Sequence, residues 1–400
     1  MGCADVSGVA GINELMKIFF FANTDWYLYN FCLPFADYLC GQGHEVVMLS
    51  PPGTYVARLQ AAGFRTLTIP MQRRSLNPVR EIALLNQIRR VYAQERPDLA
   101  HHFTIKFVVY GALAARISGV PAYVNAVTGL GHVFTSDGFK ARLLRSPVRV
   151  LLRLAIGGVN SRLILLNPDD VAAFRRADLI TLNQVRLIRG AGVDAERFKP
   201  RSDLLPLEGK ELKPLKILLA SRLLWEKGIG EYVAAARQLR QEGIAAEFLL
   251  AGDPDPGNPA SIAPEQLAAW RQEGDVTLLG YVDDMSALLG QTDIAVLPSY
   301  REGVPSSLLE AAACGLPLIA TDVPGCREIV QPGVNGLLVP AKDAPALAAA
   351  IRQLCADPAT RQRMGQASRA KVLAEFDQRI VFEQTWAVYE ELLNRRRTLG

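Results

Sequence analysis

Apolar positions along this chain switch between two spacings. Short runs rich in β-branched and aromatic residues, Lys17–Ala22, Glu45–Ser50 and Asp98–His102, read as strands. Between them, Phe31–Gln42 and Pro78–Glu95 carry apolar residues at every third or fourth position and read as helices. The pattern breaks near residue 200, where Phe198-Lys199-Pro200 and the polar stretch to Pro214 predict a linker. A second cycle follows, with strands over Leu215–Ala220, Glu247–Ala251, Val276–Leu279, Ile294–Pro298 and Leu318–Ala320 and a helix over Gly230–Gln241. Ile380–Arg397 reads as a long final helix, and no solenoid-type repeat is visible.

Alternation of this kind predicts α/β architecture with parallel sheets wrapped by helices. Its repetition predicts two Rossmann-like domains, residues 16–200 and 201–379, with residues 380–400 as a helix crossing back to the first. Open parallel sheets bind ligands beyond the C-terminal ends of their strands, so the loops after each strand are where chemistry is expected.

Composition narrows the class. Half of the residues are hydrophobic and 21% are charged, which suits folded domains and excludes disorder. Six cysteines lack C-x-x-C or zinc-type spacing and read as reduced thiols of a cytoplasmic protein. The longest stretch free of charged residues, Ile117–Ser136, is interrupted by Gly119, Pro121, Asn125, Gly129, Gly131 and His132 and makes a poor membrane span. The first residues lack a signal-peptide pattern, and Val6 stands where a myristoylation signal needs Ser or Thr; residues 1–15 read as a loose tail or an upstream start choice. The net charge of +4 hides an asymmetry. Residues 1–200 hold 23 Lys+Arg against 14 Asp+Glu, and residues 201–400 hold 21 against 26. The basic first half is expected to face something anionic.

The densest candidate chemistry follows the strand Ile294–Pro298. In Arg301-Glu302-Gly303-Val304-Pro305-Ser306-Ser307-Leu308-Leu309-Glu310-Ala311, Pro305 suits the first position of a helix and Gly315 its end. The free N–H groups of Ser306, Ser307 and Leu308 would form an anion site that fits a diphosphate. Glu302 and Glu310 repel phosphate but accept hydrogen bonds from hydroxyls. A bare carboxylate at Glu310, among Leu308, Leu309 and alanines, demands partners. The bland alternative makes both glutamates ordinary surface charges.

Ser221-Arg222-Leu223-Leu224-Trp225-Glu226-Lys227-Gly228 follows the first strand of the second domain. Arg222 and Lys227 can neutralise a departing nucleoside diphosphate, work otherwise done by a metal ion, and Gly228 permits a tight helix start. A solvated pair with Glu226 is the alternative. Gly280-Tyr281-Val282 offers a backbone against which a flat base can lie. Asp253-Pro254-Asp255 sits in a Gly/Pro-rich turn and reads as turn chemistry, so neither metal nor cofactor is expected.

Arg222…Lys227-Gly228, Gly280-Tyr281 and the Glu302-x7-Glu310 segment resemble, in order and spacing, the retaining glycosyltransferase family 4 of GT-B fold. The likeness covers nearly all of 215–340, including Asn335-Gly336. The resemblance implies that Arg222 and Lys227 hold the donor diphosphate, that Glu310 binds the ribose, and that Glu302 contacts the donor hexose and supports the reacting centre. Ser306 stands where a basic residue is expected.

The loops of the first half read as the acceptor side. Asn23 and Asp25, after the first strand, can hold acceptor hydroxyls or cap a helix. His101 and His102 end another strand, where at most one should enter the cleft between the domains. Lys106 suits an acceptor phosphate. Val127-Thr128-Gly129-Leu130-Gly131-His132 resembles a loop of a bacterial subgroup that adds N-acetylhexosamine to undecaprenyl-diphosphate-linked sugars in glycan and O-antigen assembly. Along Phe139–Ala155, Arg142, Arg145, Arg149 and Arg153 share one face and aliphatics, Leu152 and Ala155 among them, occupy others. Such a helix can lie on an anionic bilayer or pack on its own sheet.

The expected activity is therefore metal-independent transfer from a nucleotide sugar, UDP-linked by resemblance, to a lipid-diphosphate-linked sugar. The enzyme would sit at the inner face of the cytoplasmic membrane, with no nucleic acid partner. The rival readings are an epimerase or hydrolase of the same fold and a non-catalytic membrane-bound binding protein.

Overall fold

The computed structural model describes residues 15–71, 77–127, 149–200 and 214–399, with side chains through residue 395. The chain forms two compact units. One runs to Ile188 and includes Phe382 onward; the other is Arg189–Val381. The division thus falls at Ile188/Arg189, ahead of the Pro-containing stretch that the sequence pattern singles out.

The first unit is built on a seven-stranded sheet: β1 (Lys17–Phe21), β2 (Glu45–Ser50), β3 (Arg65–Thr68), β4 (Leu99–Phe103), β5 (Ala122–Val127), β6 (Ser161–Leu165) and β7 (Val185–Leu187). Their order is β3-β2-β1-β4-β5-β6-β7, with every pairing parallel. The order reverses between β1 and β4, so the loops after those two strands flank the switch point. The helix expected over Phe31–Gln42 starts earlier. Thr24 caps a short turn at Asp25–Tyr27, a π-helical stretch follows over Leu28–Cys32, and the regular helix is Leu33–Gly41. The final helix is Gln378–Leu399. Its Glu391 receives Arg162 of β6 at 2.6 Å and Arg186 of β7 at 2.5 Å. Arg162 is almost completely buried, and this carboxylate supplies the partner a buried guanidinium requires.

The second unit carries a six-stranded parallel sheet: β8 (Leu215–Ala220), β9 (Ala246–Ala251), β10 (Thr277–Gly280), β11 (Ile294–Leu297), β12 (Leu318–Thr321) and β13 (Gly336–Val339), ordered β10-β9-β8-β11-β12-β13. Alternate residues feed opposite faces, as strand geometry requires. Leu218, Leu249, Ala295 and Leu297 pack in one core, while Ile217, Leu219, Leu250, Ile294 and Val296 pack in the other. Burial on both faces explains why these strands read as continuous apolar runs. Here the order reverses between β8 and β11.

Among the described residues, no helix is long and apolar enough to cross a membrane. Of the segment read as an amphipathic helix, residues 149–156 are helical and residues 139–148 lie outside the described part. Leu152 and Ala155 belong to the core, as the alternative of a helix packed on its own sheet expects. Val150, Leu151 and Leu154 are exposed.

Candidate active site

The two loops beside the reversal point of the second sheet meet. After β8 the chain makes a 3-10 turn over Trp225–Lys227, and after β11 it runs through Tyr300–Pro305. The Tyr300 amide donates to the Glu226 carbonyl at 2.9 Å, joining the loops by backbone. The Lys227 ammonium then lies 2.6 Å from Oε1 of Glu302, with both side chains mostly buried. These two candidates, 75 residues apart, therefore form one ion pair at the C-terminal ends of adjacent strands.

Gly228 makes this approach possible. Its φ is +71°, and a Cβ there would lie 2.0 Å from the Pro298 carbonyl oxygen. Only a residue without a side chain lets the helix Ile229–Gln241 start against the end of β11. Gly325 does the same on the other side, with φ of +83° and a virtual Cβ 2.2 Å from the Gly303 carbonyl oxygen. The sequence reading missed Gly325, although the Pro324-Gly325 dipeptide after a strand was the available signal.

Pro305 occupies the N-cap, not the first helical position, of the helix Ser306–Ala313. The amides of Ser306 and Ser307 find no acceptor among the described residues. The Leu308 amide turns back onto the Pro305 carbonyl at 3.2 Å. Among the described residues, two amides rather than three are thus left open at this helix start. Four residues past Ser306 in the same helix, the Glu310 carboxylate receives no hydrogen bond from the described residues. Burial pushes it up to about 7, with Arg197 pulling the other way.

The partner of Arg222 is Asp255, not Glu226, among the described residues. Nη1 of Arg222 lies 2.8 Å from Oδ2 of Asp255. Tyr281 is exposed just beyond β10, whereas Val282 packs on the core. Gly280 has φ of +69° where the β9–β10 register shifts. No cluster of three or more His, Cys, Asp or Glu able to hold a metal occurs among the described residues.

The first-unit candidates are less open than the sequence suggested. Asp25 is buried, and its Oδ2 accepts from the Tyr55 amide at 2.6 Å and the Val56 amide at 3.2 Å. It caps the helix Val56–Ala61 rather than waiting for an acceptor hydroxyl. Asn23 is half-buried at the end of β1. Both histidines are buried, so neither projects as an open side chain. Nδ1 of His102 is 2.8 Å from Oδ1 of Asn125, and its Nε2 is 3.0 Å from the Tyr92 hydroxyl. Burial lowers it to about 4, against the opposing Asn125 contact. Nδ1 of His101 is 2.6 Å from the Tyr389 hydroxyl, and burial, with help from His102, drives it well below the usual range. Lys106 is paired with Glu81 at 3.0 Å rather than standing as a bare cation. Gly129 and Gly131 lie outside the described residues. Thr104, which the sequence reading passed over as a site residue, has φ of +70° and a buried hydroxyl with no partner among the described residues, at the first-sheet reversal point.

Residues 214–357 match the family Glycosyl transferases group 1, and residues 17–159 match Glycosyl transferase 4-like. The chain belongs to the GT-B glycosyltransferases. This glycosyltransferase is 29% identical over 385 residues to an N,N'-diacetylbacillosaminyl-diphospho-undecaprenol alpha-1,3-N-acetylgalactosaminyltransferase of Campylobacter jejuni, covering 94% of this chain and 99% of the relative. Its fold matches a sucrose-phosphate synthase from Thermosynechococcus elongatus with a TM-score of 0.78 at 22% identity, over 95% of this chain and all of that one. It also matches the Anabaena protein HepE in complex with UDP, with a TM-score of 0.73 at 20% identity, over 94% of this chain and all of that one.

Proposed function

We propose that this glycosyltransferase moves an N-acetylhexosamine from a UDP-sugar to a sugar carried on a lipid diphosphate, retaining the anomeric configuration and using no metal ion. The observation that carries the reading is the Lys227–Glu302 pair at the β8/β11 reversal point, beside the open amides of Ser306 and Ser307. Lys227, Arg222 and those amides supply positive charge where a nucleoside diphosphate leaves. Glu302 orients donor hydroxyls close to that charge, and Glu310 offers a carboxylate to the ribose. Val282 and the exposed Tyr281 border the base.

The lipid-linked acceptor and the N-acetylhexosamine are supported by what the Campylobacter relative's name says of that protein. UDP is supported by the ligand in the Anabaena structure. Contact with an anionic bilayer from the cytoplasmic side is supported by the exposed Val150, Leu151 and Leu154 beside Arg149 and Arg153, although Arg153 also pairs with Asp178 at 2.9 Å. A panel of UDP- and GDP-sugars, offered with polyprenyl-diphosphate sugars, tests the reading. A product heavier by one N-acetylhexosamine with an axial new linkage is expected from UDP donors. Transfer from GDP donors alone, or an inverted linkage, would count against it.

A further inference from the structure

Arg222 does not stand alone at the end of β8. The segment 252–262, after β9, is strapped to the 221–225 loop by three backbone hydrogen bonds. The Leu223 amide donates to the Asp253 carbonyl, the Trp225 amide to the Ala260 carbonyl and the Ile262 amide to the Leu223 carbonyl, each at 2.9 Å. Gly252 lets the two backbones touch, since a Cβ there would fall 1.9 Å from the Ser221 carbonyl oxygen. Within this strap the Asn258 amide group donates to Oδ2 of Asp255 at 3.1 Å, and the Asp255 amide meets the Ser261 hydroxyl at 3.1 Å. Asp255 is thereby fixed, and it is this same Oδ2 that receives Arg222 at 2.8 Å.

A half-exposed arginine has many rotamers, and holding it in one costs entropy that a ligand otherwise supplies on binding. A guanidinium has five N–H donors in a planar fork, so one engaged with a carboxylate leaves others for phosphate oxygens. We propose that Asp255 is a positioning residue for donor binding: the strap holds its carboxylate, and the carboxylate holds Arg222 ready for the nucleotide diphosphate. The carboxylate of Asp255 thus needs no divalent ion to have a role. This inference rests on Arg222 contacting the diphosphate.

The test is a double-mutant cycle on the full chain, with UDP as the probe and calorimetry as the readout. Asp255→Ala should weaken UDP binding about three- to tenfold, the range expected for freeing one flexible side chain. In an Arg222→Ala background the same substitution should change nothing further, because the group it positions is gone. Asp255→Glu should recover part of the loss. A structural role in the strap alone would give additive losses and no recovery, and would overturn the proposal. So would tighter UDP binding in Asp255→Ala, the sign of a carboxylate that competes with phosphate. Unchanged affinity in Arg222→Ala would overturn the diphosphate assignment and the proposal with it. Weakened Arg222→Ala beside an unaltered Asp255→Ala would overturn the proposal alone.

Discussion

Nζ of Lys227 and Oε1 of Glu302 lie 2.6 Å apart although 75 residues separate them, because β8 and β11 are neighbours and both loops turn over the same end of the sheet. The pair keeps each charge from being stranded in a mostly buried place. It also fixes a cation and a hydroxyl acceptor side by side, as transfer from a sugar diphosphate needs. Lys227→Ala and Glu302→Ala should each lower kcat/KM about 100-fold or more, and the double variant should cost little beyond the worse single one. Steady-state kinetics on the three variants checks this; independent, multiplying losses would separate the two roles.

Glu310 should make donor binding pH-dependent. Burial favours its protonated form up to about pH 7, while ribose hydroxyls need an ionised acceptor. UDP affinity should therefore climb as pH rises from 6 to 8, by at most about tenfold per unit below the pKa, and flatten above it. Glu310→Gln should bind weakly at every pH in this range. Because the folded carboxyl titrates above its unfolded value, its ionisation destabilises the ligand-free fold as pH rises. Glu310→Gln should then melt higher than the parent at pH 8 without ligand. Titrations with UDP and melting curves at both pH values decide it.

Gly228→Ala sets a Cβ against the Pro298 carbonyl and forces a side chain into a left-handed backbone. The cost should be about 1–3 kcal/mol, lowering the melting temperature of this unit by roughly 2–4 °C per kcal/mol. Activity should fall further than stability does, since the same shift moves Lys227. A variant that melts like the parent and retains full turnover would contradict the account of this turn.

The buried histidines predict acid sensitivity of the first unit. Both are neutral when folded and take up protons when unfolded, so their contribution is intact above the unfolded value near 6.5. It is lost as pH falls from there toward 4. His102→Ala orphans the Tyr92 hydroxyl and Oδ1 of Asn125, at about 1–3 kcal/mol for a buried group left unpaired. Its effect should appear in melting temperature, with the affinity for UDP unchanged. A variant with parental stability and lost turnover would return His102 to the acceptor site.

What the sequence made legible follows from how local each signal is. β8, β9, β11 and β12 stood out because burial on both faces leaves unbroken apolar runs, and the Glu302–Glu310 segment because strand, loop and helix start are contiguous. β3, β7 and β13, short and only partly buried, left no such run, and in β5 and β6 the buried Asn125 and Arg162 interrupt it. The fate of side chains depended on partners far along the chain. Asp25 is claimed by amides 30 and 31 residues away, His101 by Tyr389, and Arg222 by Asp255. Nothing in the local pattern of Asn23–Asp25 or His101-His102 announces those contacts. The helix over 149–156 shows the same limit, since spacing alone does not tell which aliphatics, Leu152 or Leu154, meet the core.

The most direct test of the central claim is nucleotide release by the purified protein in EDTA, with and without a polyprenyl-diphosphate-linked sugar. UDP should appear only when that acceptor is present, at a rate that added magnesium or manganese leaves unchanged. Release without acceptor would indicate a hydrolase or epimerase, and release only after metal is restored would contradict the assignment of leaving-group stabilisation to Lys227 and Arg222.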